Sequence, residues 1–362
     1  MSIIEKNYEF VLRKESIVME LETRPSLSRT RKYRKKRKSF PVLLFSIPVL
    51  LALGILSLLF LYGTTTGTSI RQMLGGSILS SQHPQYAKFL LTQDEIDKLN
   101  EIIYEPPSVT STTHGFVNHK RASNEPLVRV ETVENSNYTA KVMLVSDPTT
   151  VHLVSSKYSD KGQALSELIE QNKGIGGINA GGFSDANGTG SGGEVVGIAI
   201  GDGKIQSEAS FSRIESRLVG GFTSAGQFIT GSYSINKLQS LDVTQAVSFG
   251  PQLVVDGKDV VTKNIENAYG WAPRTAIGQK DDGTVVMIIT DGRFYHNKTH
   301  RGASMKDLVQ IFQQYQVTQA IALDGGGSTT MIFNGQLQLQ PATQTKAGMR
   351  YLPNAFIVIP KK

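Results

Sequence analysis

Two apolar strands in this sequence end in an aspartate followed by glycine. Val285–Thr290 runs into Asp291-Gly292-Arg293, and Ala320–Leu323 runs into Asp324-Gly325-Gly326-Gly327-Ser328-Thr329-Thr330. A buried strand that delivers a carboxylate at its C-terminal end places it at a sheet edge, where clefts form. Three consecutive glycines after Asp324 let main-chain amides approach an anion with no side chain in the way. The run is not a P-loop, because the GxxxxGK[ST] spacing and its lysine are both missing. Asp202-Gly203, Asp256-Gly257 and Asp282-Gly283 read instead as hairpin turns.

Other residues of chemical interest cluster in two further segments. Gly176-Gly177-Ile178-Asn179-Ala180-Gly181-Gly182-Phe183 is a third strand end, and Arg274 sits between Trp271-Ala272-Pro273 and Thr275-Ala276-Ile277. A guanidinium among small and apolar residues serves an anion or a buried carboxylate, with a structural ion pair as the alternative. Asp291 and Asp324 form the natural carboxylate pair. Glu194 in GGEVVG and Asp185 in FSDANG are weaker carboxylates. Asp291, Asp324 and Asn179 could ligate a hard ion such as Ca²⁺ or Mg²⁺, without the sequence requiring one. His296 and His300, four apart with no glutamate between them, read as a surface loop lining the cleft rather than a metal site. Trp271 and Phe183 read by default as buried aromatics, with a flat ring for a ligand to stack on as the alternative. The chain has no cysteine, which excludes disulfides, thiolate metal sites and a cysteine nucleophile.

The ordered set Asn179-Ala180-Gly181-Gly182-Phe183, Arg274-Thr275-Ala276-Ile277-Gly278, Thr290-Asp291-Gly292-Arg293, Gly302-Ala303-Ser304, Leu323 to Met331, and Arg350 before Pro353-Asn354-Ala355 resembles the phosphodiester glycosidase family. The resemblance spans about 170 to 360; Phe294 to Arg301 (FYHNKTHR) is this chain's own connection between two motifs. It implies hydrolysis of a glycosyl-1-phosphodiester. Arg274, Arg293 and Arg350 would bind the phosphate, with Asn179, Gly181, Gly182, Thr275, Gly325, Gly326, Gly327, Ser328 and Thr329 forming the cradle. Asp291, Asp324 and Glu194 would be the catalytic carboxylates, stabilising oxocarbenium character at the sugar. Two other readings are a phosphodiesterase that cleaves at phosphorus and a non-catalytic binder of cell-wall glycopolymer.

The elements needed to position these residues are short. Thirty-four of the 35 glycines lie at or after residue 63, and short Val- and Ile-rich runs alternate with them from about 126. Strands outnumber helices, so the sequence predicts an α+β domain with a mixed β-sheet and few helices, at Gln163–Gln171 and Ser304–Tyr315. Residues 126–362 are the expected catalytic domain. Residues 63–125 read as a stalk with a short helix at about 93–104, opened by Thr92 and Glu95 at capping-box spacing.

Phe40–Tyr62 is 23 residues without a charge, about 34 Å as a helix, enough to cross a bilayer core of about 30 Å. Residues 1–39 hold the basic run Arg29 to Lys38 directly before it, which by the positive-inside rule keeps the tail in the cytoplasm and puts the domain outside. The expectation is a single-pass signal-anchor at the cell membrane, with a sugar-phosphodiester or cell-surface glycopolymer as substrate. No nucleic-acid partner is expected: the net charge of +7 lies in residues 1–62, and the remainder balances 26 basic against 26 acidic residues.

Overall fold

The computed structural model describes residues 40–112, 125–158, 160–184, 191–206, 213–343, 345 and 348–361. The basic tail and Asp185 lie outside the described residues. The chain divides into two units, Met1–Ser57 and Leu58–Lys362. The apolar run forms the helix Phe40–Gly63, and its Ser46–Gly63 stretch is long and apolar enough to cross a membrane, with none of that stretch buried.

Among the described residues, three sheets build the second unit. The largest has seven strands in the order Val128–Asn135, Tyr138–Val145, Val285–Thr290, Thr275–Lys280, Val317–Leu323, Gln252–Val255 and Lys258–Asp259. A five-stranded sheet runs Gln336–Leu337, Met331–Phe333, Gly176–Asn179, Asn354–Val358, Val151–Ser155. A second five-stranded sheet runs Lys204–Ile205, Ala199–Gly201, Val243–Ser248, Arg217–Thr223, Phe228–Tyr233.

Every strand pairing among the described residues is antiparallel, which corrects the expected mixed sheet. The reason is local. Paired neighbours are often joined by two-residue turns at Asp202-Gly203, Asp256-Gly257 and Asn334-Gly335, all with positive φ, whereas parallel neighbours need crossovers of a dozen or more residues.

Val285–Thr290 is buried along its whole length because both of its faces are covered. Val286 and Ile288 pack with Ala276, Ala322 and the helix Met305–Gln314 through Leu308, Val309 and Phe312. Met287 and Ile289 turn the other way, onto Ile178, Phe222, Phe228 and Phe356 of the five-stranded sheets. This double coverage explains why the strand reads as an unbroken apolar run.

The predicted stalk is largely folded onto the body. The helix Gln93–Tyr104 carries the expected Thr92/Glu95 capping box, and a second helix, Thr65–Leu79, precedes it. Arg71 forks onto Glu95 at 2.6 and 2.7 Å, and this pairing holds the Glu95 carboxyl down at about 2. Gly76 has no room for a side chain, since a Cβ there would lie 2.2 Å from the Asn267 carbonyl oxygen of the helix Lys263–Tyr269. Small residues in Thr65–Leu79 (Gly67, Gly75, Gly76) suppress its amphipathic signal, so the sequence reads there as linker.

Candidate active site

The strands that end in Asp291 and Asp324 both flank Thr275–Lys280 antiparallel, so they run parallel to each other and finish at the same edge of the sheet. Thr275 is paired with Ile289 on one side and Leu323 on the other. The two aspartates are therefore two strand spacings apart, about 10 Å along the sheet.

They also face apart, which corrects the expected carboxylate pair. Asp291 is turned toward the neighbouring hairpin: its Oδ1 accepts from Thr139 N at 2.7 Å, and its Oδ2 meets His300 Nδ1 at 2.8 Å. His300 is buried, not a surface-loop residue, and its Nε2 lies 3.0 Å from Asn297 Nδ2. His296 is exposed and its Nε2 meets the Pro341 carbonyl.

Asp324 stands at the head of the glycine loop with its carboxylate enclosed by protein, although the residue keeps a partial opening to solvent. Burial pushes its carboxyl up to about 6, against the opposing pull of Ser328, Arg350, the Gly325 amide and Arg293. Gly326 holds φ +60, and a Cβ on it would lie 3.1 Å from Arg293 Nη2; a Cβ on Gly327 would lie 3.1 Å from Arg350 Nε. Two guanidinium groups thus rest on the bare backbone of the loop. Burial and the charge of Arg350 lower the Arg293 pKa, while Asp324 opposes that shift. The buried Ser328 hydroxyl stands beside the Asp324 carboxyl and opposes its rise.

Asn179 fixes this loop from behind. Its Nδ2 donates to the Asp324 carbonyl at 2.6 Å, and its Oδ1 accepts from Thr275 Oγ1 at 2.8 Å and Thr330 N at 3.1 Å. Thr275 also lies 3.4 Å from Thr329 Oγ1. Gly181 N donates to Asn354 Oδ1 at 2.7 Å, and Asn354 Nδ2 is buried without a partner. Gly181 and Gly182 pack closely, a Cβ on each meeting Val247 at 2.5 Å and Phe249 at 3.0 Å. These residues shape the loop; Asn354, in the sequence only part of a motif, is the partner that holds Gly181.

Arg274 differs from its expected role as phosphate fork. Its Nη2 donates to the Tyr269 and Gly270 carbonyls at 2.5 and 2.8 Å, and its Nε to Ala303 O at 3.3 Å. A buried guanidinium needs partners, and main-chain carbonyls at a helix end supply them here. Burial, then the charge of Arg293, bring it down to about 10. Its observed contacts clamp the end of Lys263–Tyr269 to the sheet.

Asn179 has its side-chain oxygen committed and Asp291 is turned from Asp324, so the three do not converge as ligands for Ca²⁺ or Mg²⁺. Among the described residues no group of three or more His, Asp or Glu side chains is disposed to hold a metal. Glu194 is exposed, away from the loop's arginines in every described contact, on the wall of a cavity of about 550 Å³ that Gly182, Arg217, Phe249, Tyr104 and Pro106 also line. Trp271 has one face taken by Arg301, 4.2 Å from the ring centroid, and Phe183 lies 5.9 Å from the Arg350 guanidinium carbon.

The antiparallel body thus brings a glycine loop, an enclosed aspartate and two arginines together at one sheet edge. The model of the phosphodiester glycosidase family matches residues 172–359, more than half of the chain, and the chain belongs to that family. It is similar to the SPbeta prophage-derived uncharacterized protein YomE of Bacillus subtilis, 27% identical over 201 residues, covering 52% of this chain and 28% of that one. It is also similar to the mouse N-acetylglucosamine-1-phosphodiester alpha-N-acetylglucosaminidase, 32% identical over 80 residues, 22% of this chain and 15% of that one. The chain thus spans less than a third of the length of these curated relatives. The fold is shared with the catalytic domain of the zebrafish N-acetylglucosamine-1-phosphodiester alpha-N-acetylglucosaminidase, solved in a form auto-inhibited by its pro-peptide. That likeness has a TM-score of 0.57 and 19% identity, covering 70% of this chain and 89% of that one.

Proposed function

We propose that this chain is a membrane-anchored hydrolase that cleaves a sugar-1-phosphodiester in a surface glycopolymer or exopolysaccharide, on the extracytoplasmic side. The observation that carries the reading is the Asp324 loop: one enclosed carboxylate, two guanidinium groups on bare glycine backbone, and the buried Ser328 hydroxyl beside the carboxylate. Asp324, Arg293 and Arg350 together carry one net positive charge when the aspartate is ionised. A phosphodiester carries one negative charge, so the occupied site is neutral.

Arg293 and Arg350 hold the phosphate oxygens, with the Ser328 hydroxyl as a further donor, and planar guanidinium groups suit such an anion. Departure of the phosphate from the sugar C1 builds positive charge at the ring, and the Asp324 carboxylate stabilises it inside a site of low dielectric. Phosphate is already a good leaving group, so the mechanism asks little of a general acid. Asn179, Thr275 and Asn354 act by fixing the loop. Anchoring is supported by the unburied apolar helix and the basic run before it, which together give an N-terminus in the cytoplasm and the body outside.

The first test is turnover of a chromogenic N-acetylglucosamine-1-phosphodiester by the full chain in detergent, with Asp324→Asn beside it. A rate lower by about 10² to 10⁴ in the variant, with folding retained, is expected. Equal rates in both proteins would remove Asp324 from the chemistry.

A further inference from the structure

Within the second unit, Phe60 to Leu90 form one closely packed piece. The Thr64 hydroxyl donates to Phe60 O at 2.8 Å and accepts from Gly67 N at 3.0 Å, so a single residue ends one helix and caps the next. A Cβ on Gly67 would lie 2.0 Å from the Phe60 carbonyl oxygen, leaving only glycine able to sit there. Tyr62, the last aromatic of the apolar run, donates its hydroxyl to Leu90 O at 3.4 Å, and the Arg71 guanidinium lies 4.4 Å from its ring centroid. Arg71 also donates to Leu90 O at 2.9 Å.

These bonds place the 3-10 turn Pro84–Phe89 at the level of Tyr62. The turn is unusual for a surface facing water. Phe89 is 73% exposed and Tyr86 53%, their rings are stacked with centroids 6.3 Å apart, and Lys88 Nζ stands 5.6 Å from the Phe89 centroid. Aromatic rings and lysine are the side chains that favour the headgroup layer of a bilayer, where the ring body is apolar and its surroundings are polar and anionic.

We infer that the Pro84–Phe89 turn is a membrane-docking element, with Tyr86 and Phe89 seated in the headgroup layer beside the exit of the apolar helix and Lys88 on lipid phosphates. The inference rests on the reading of Phe40–Tyr62 as an anchor. Continuity with Tyr62 selects a lipid surface over a protein partner, because Tyr62, the last aromatic of the run read as the anchor, bonds directly to the end of this turn. Two points of attachment would hold the body at a fixed height and favour substrates presented close to the membrane.

The absence of cysteine allows a clean test. Phe89→Cys, Leu53→Cys and Ile214→Cys are made separately in the full chain, labelled with the fluorophore NBD, and reconstituted into phosphatidylcholine/phosphatidylglycerol vesicles with or without doxyl-labelled lipid. Leu53 reports the anchor. Ile214, 75% exposed beside the strand Arg217–Thr223 of the second five-stranded sheet, is an exposed apolar control outside the turn. The expected result is a loss of roughly half of the emission or more at positions 53 and 89 and little change at 214. Quenching at 53 with no more at 89 than at 214 would overturn the docking element and leave the anchor standing. An unquenched label at 53 would overturn the anchor, and the docking element with it.

Discussion

Asn179 donates its side-chain amide to the main-chain carbonyl of Asp324 at 2.6 Å, so the enclosed carboxylate is positioned by a residue from a different sheet. The same side chain takes a hydroxyl from Thr275 and an amide from Thr330, joining three strand ends. Removing it strands three buried groups, each costing about 1 to 3 kcal/mol. Asn179→Ala should lower the melting temperature by roughly 5 °C or more and abolish most activity. Differential scanning calorimetry beside a rate assay checks this; an unchanged melt would mean that the knot does not support the loop.

Asp324 itself should be a stability liability. Its carboxyl is raised from an ordinary 3.8 to about 6, so the folded state binds the proton more tightly than the unfolded chain. The stabilisation from the neutral carboxyl is complete below about pH 4 and lost as pH rises through about 6, leaving a deficit of about 3 kcal/mol at higher pH. Asp324→Asn stays neutral throughout. It should melt higher than the parent at pH 7.5 and converge with it near pH 4, as thermal melts at the two values would show. A variant that is less stable at pH 7.5 would mean that the charge is compensated in the folded protein.

The arginines should separate by which quantity they move. Arg274→Lys loses the fork across Tyr269, Gly270 and Ala303 and should lower the melting temperature, with activity falling as the fold loosens. Arg350→Lys keeps a charge beside Gly327 but not the planar fork, and should cut kcat/KM about ten-fold or more with the melt unchanged. The opposite pattern would return Arg274 to the phosphate.

The loop's backbone is the next handle. Gly326→Ala forces a side chain into φ +60 and against Arg293 Nη2. The left-handed conformation costs roughly 1 to 2 kcal/mol for a non-glycine residue, and displacement of Arg293 should raise KM for the phosphodiester. Gly335→Ala, at φ +74 with open space around it, carries the conformational cost alone. Equal KM values in the two variants would argue against contact between Arg293 and the substrate.

Much of this was legible in the residues. The strand ends at Thr290 and Leu323, the glycine loop, the turns at Asp202 and Asp256, and the Thr92 cap all follow from local rules of turn chemistry and apolar runs. What the sequence could not display was direction. An aspartate at a strand end looks the same whether it faces its neighbour or, like Asp291, a histidine nine residues on that returns through a loop. Arg274 was conspicuous for its apolar surroundings, but carbonyls at a helix end leave no mark in sequence, whereas carboxylates do. The helix Thr65–Leu79 was hidden because its packing depends on glycine, the residue that most weakens a helical pattern.

The most direct test of the central claim is the fate of water oxygen. Hydrolysis of an N-acetylglucosamine-1-phosphodiester by the full chain in ¹⁸O-labelled water distinguishes attack at the sugar carbon from attack at phosphorus. Mass spectrometry early in the reaction, before mutarotational exchange at C1, should find the label in the released sugar and not in the phosphate. Label in the phosphate product would contradict the account, because Asp324 would then have no developing ring charge to stabilise.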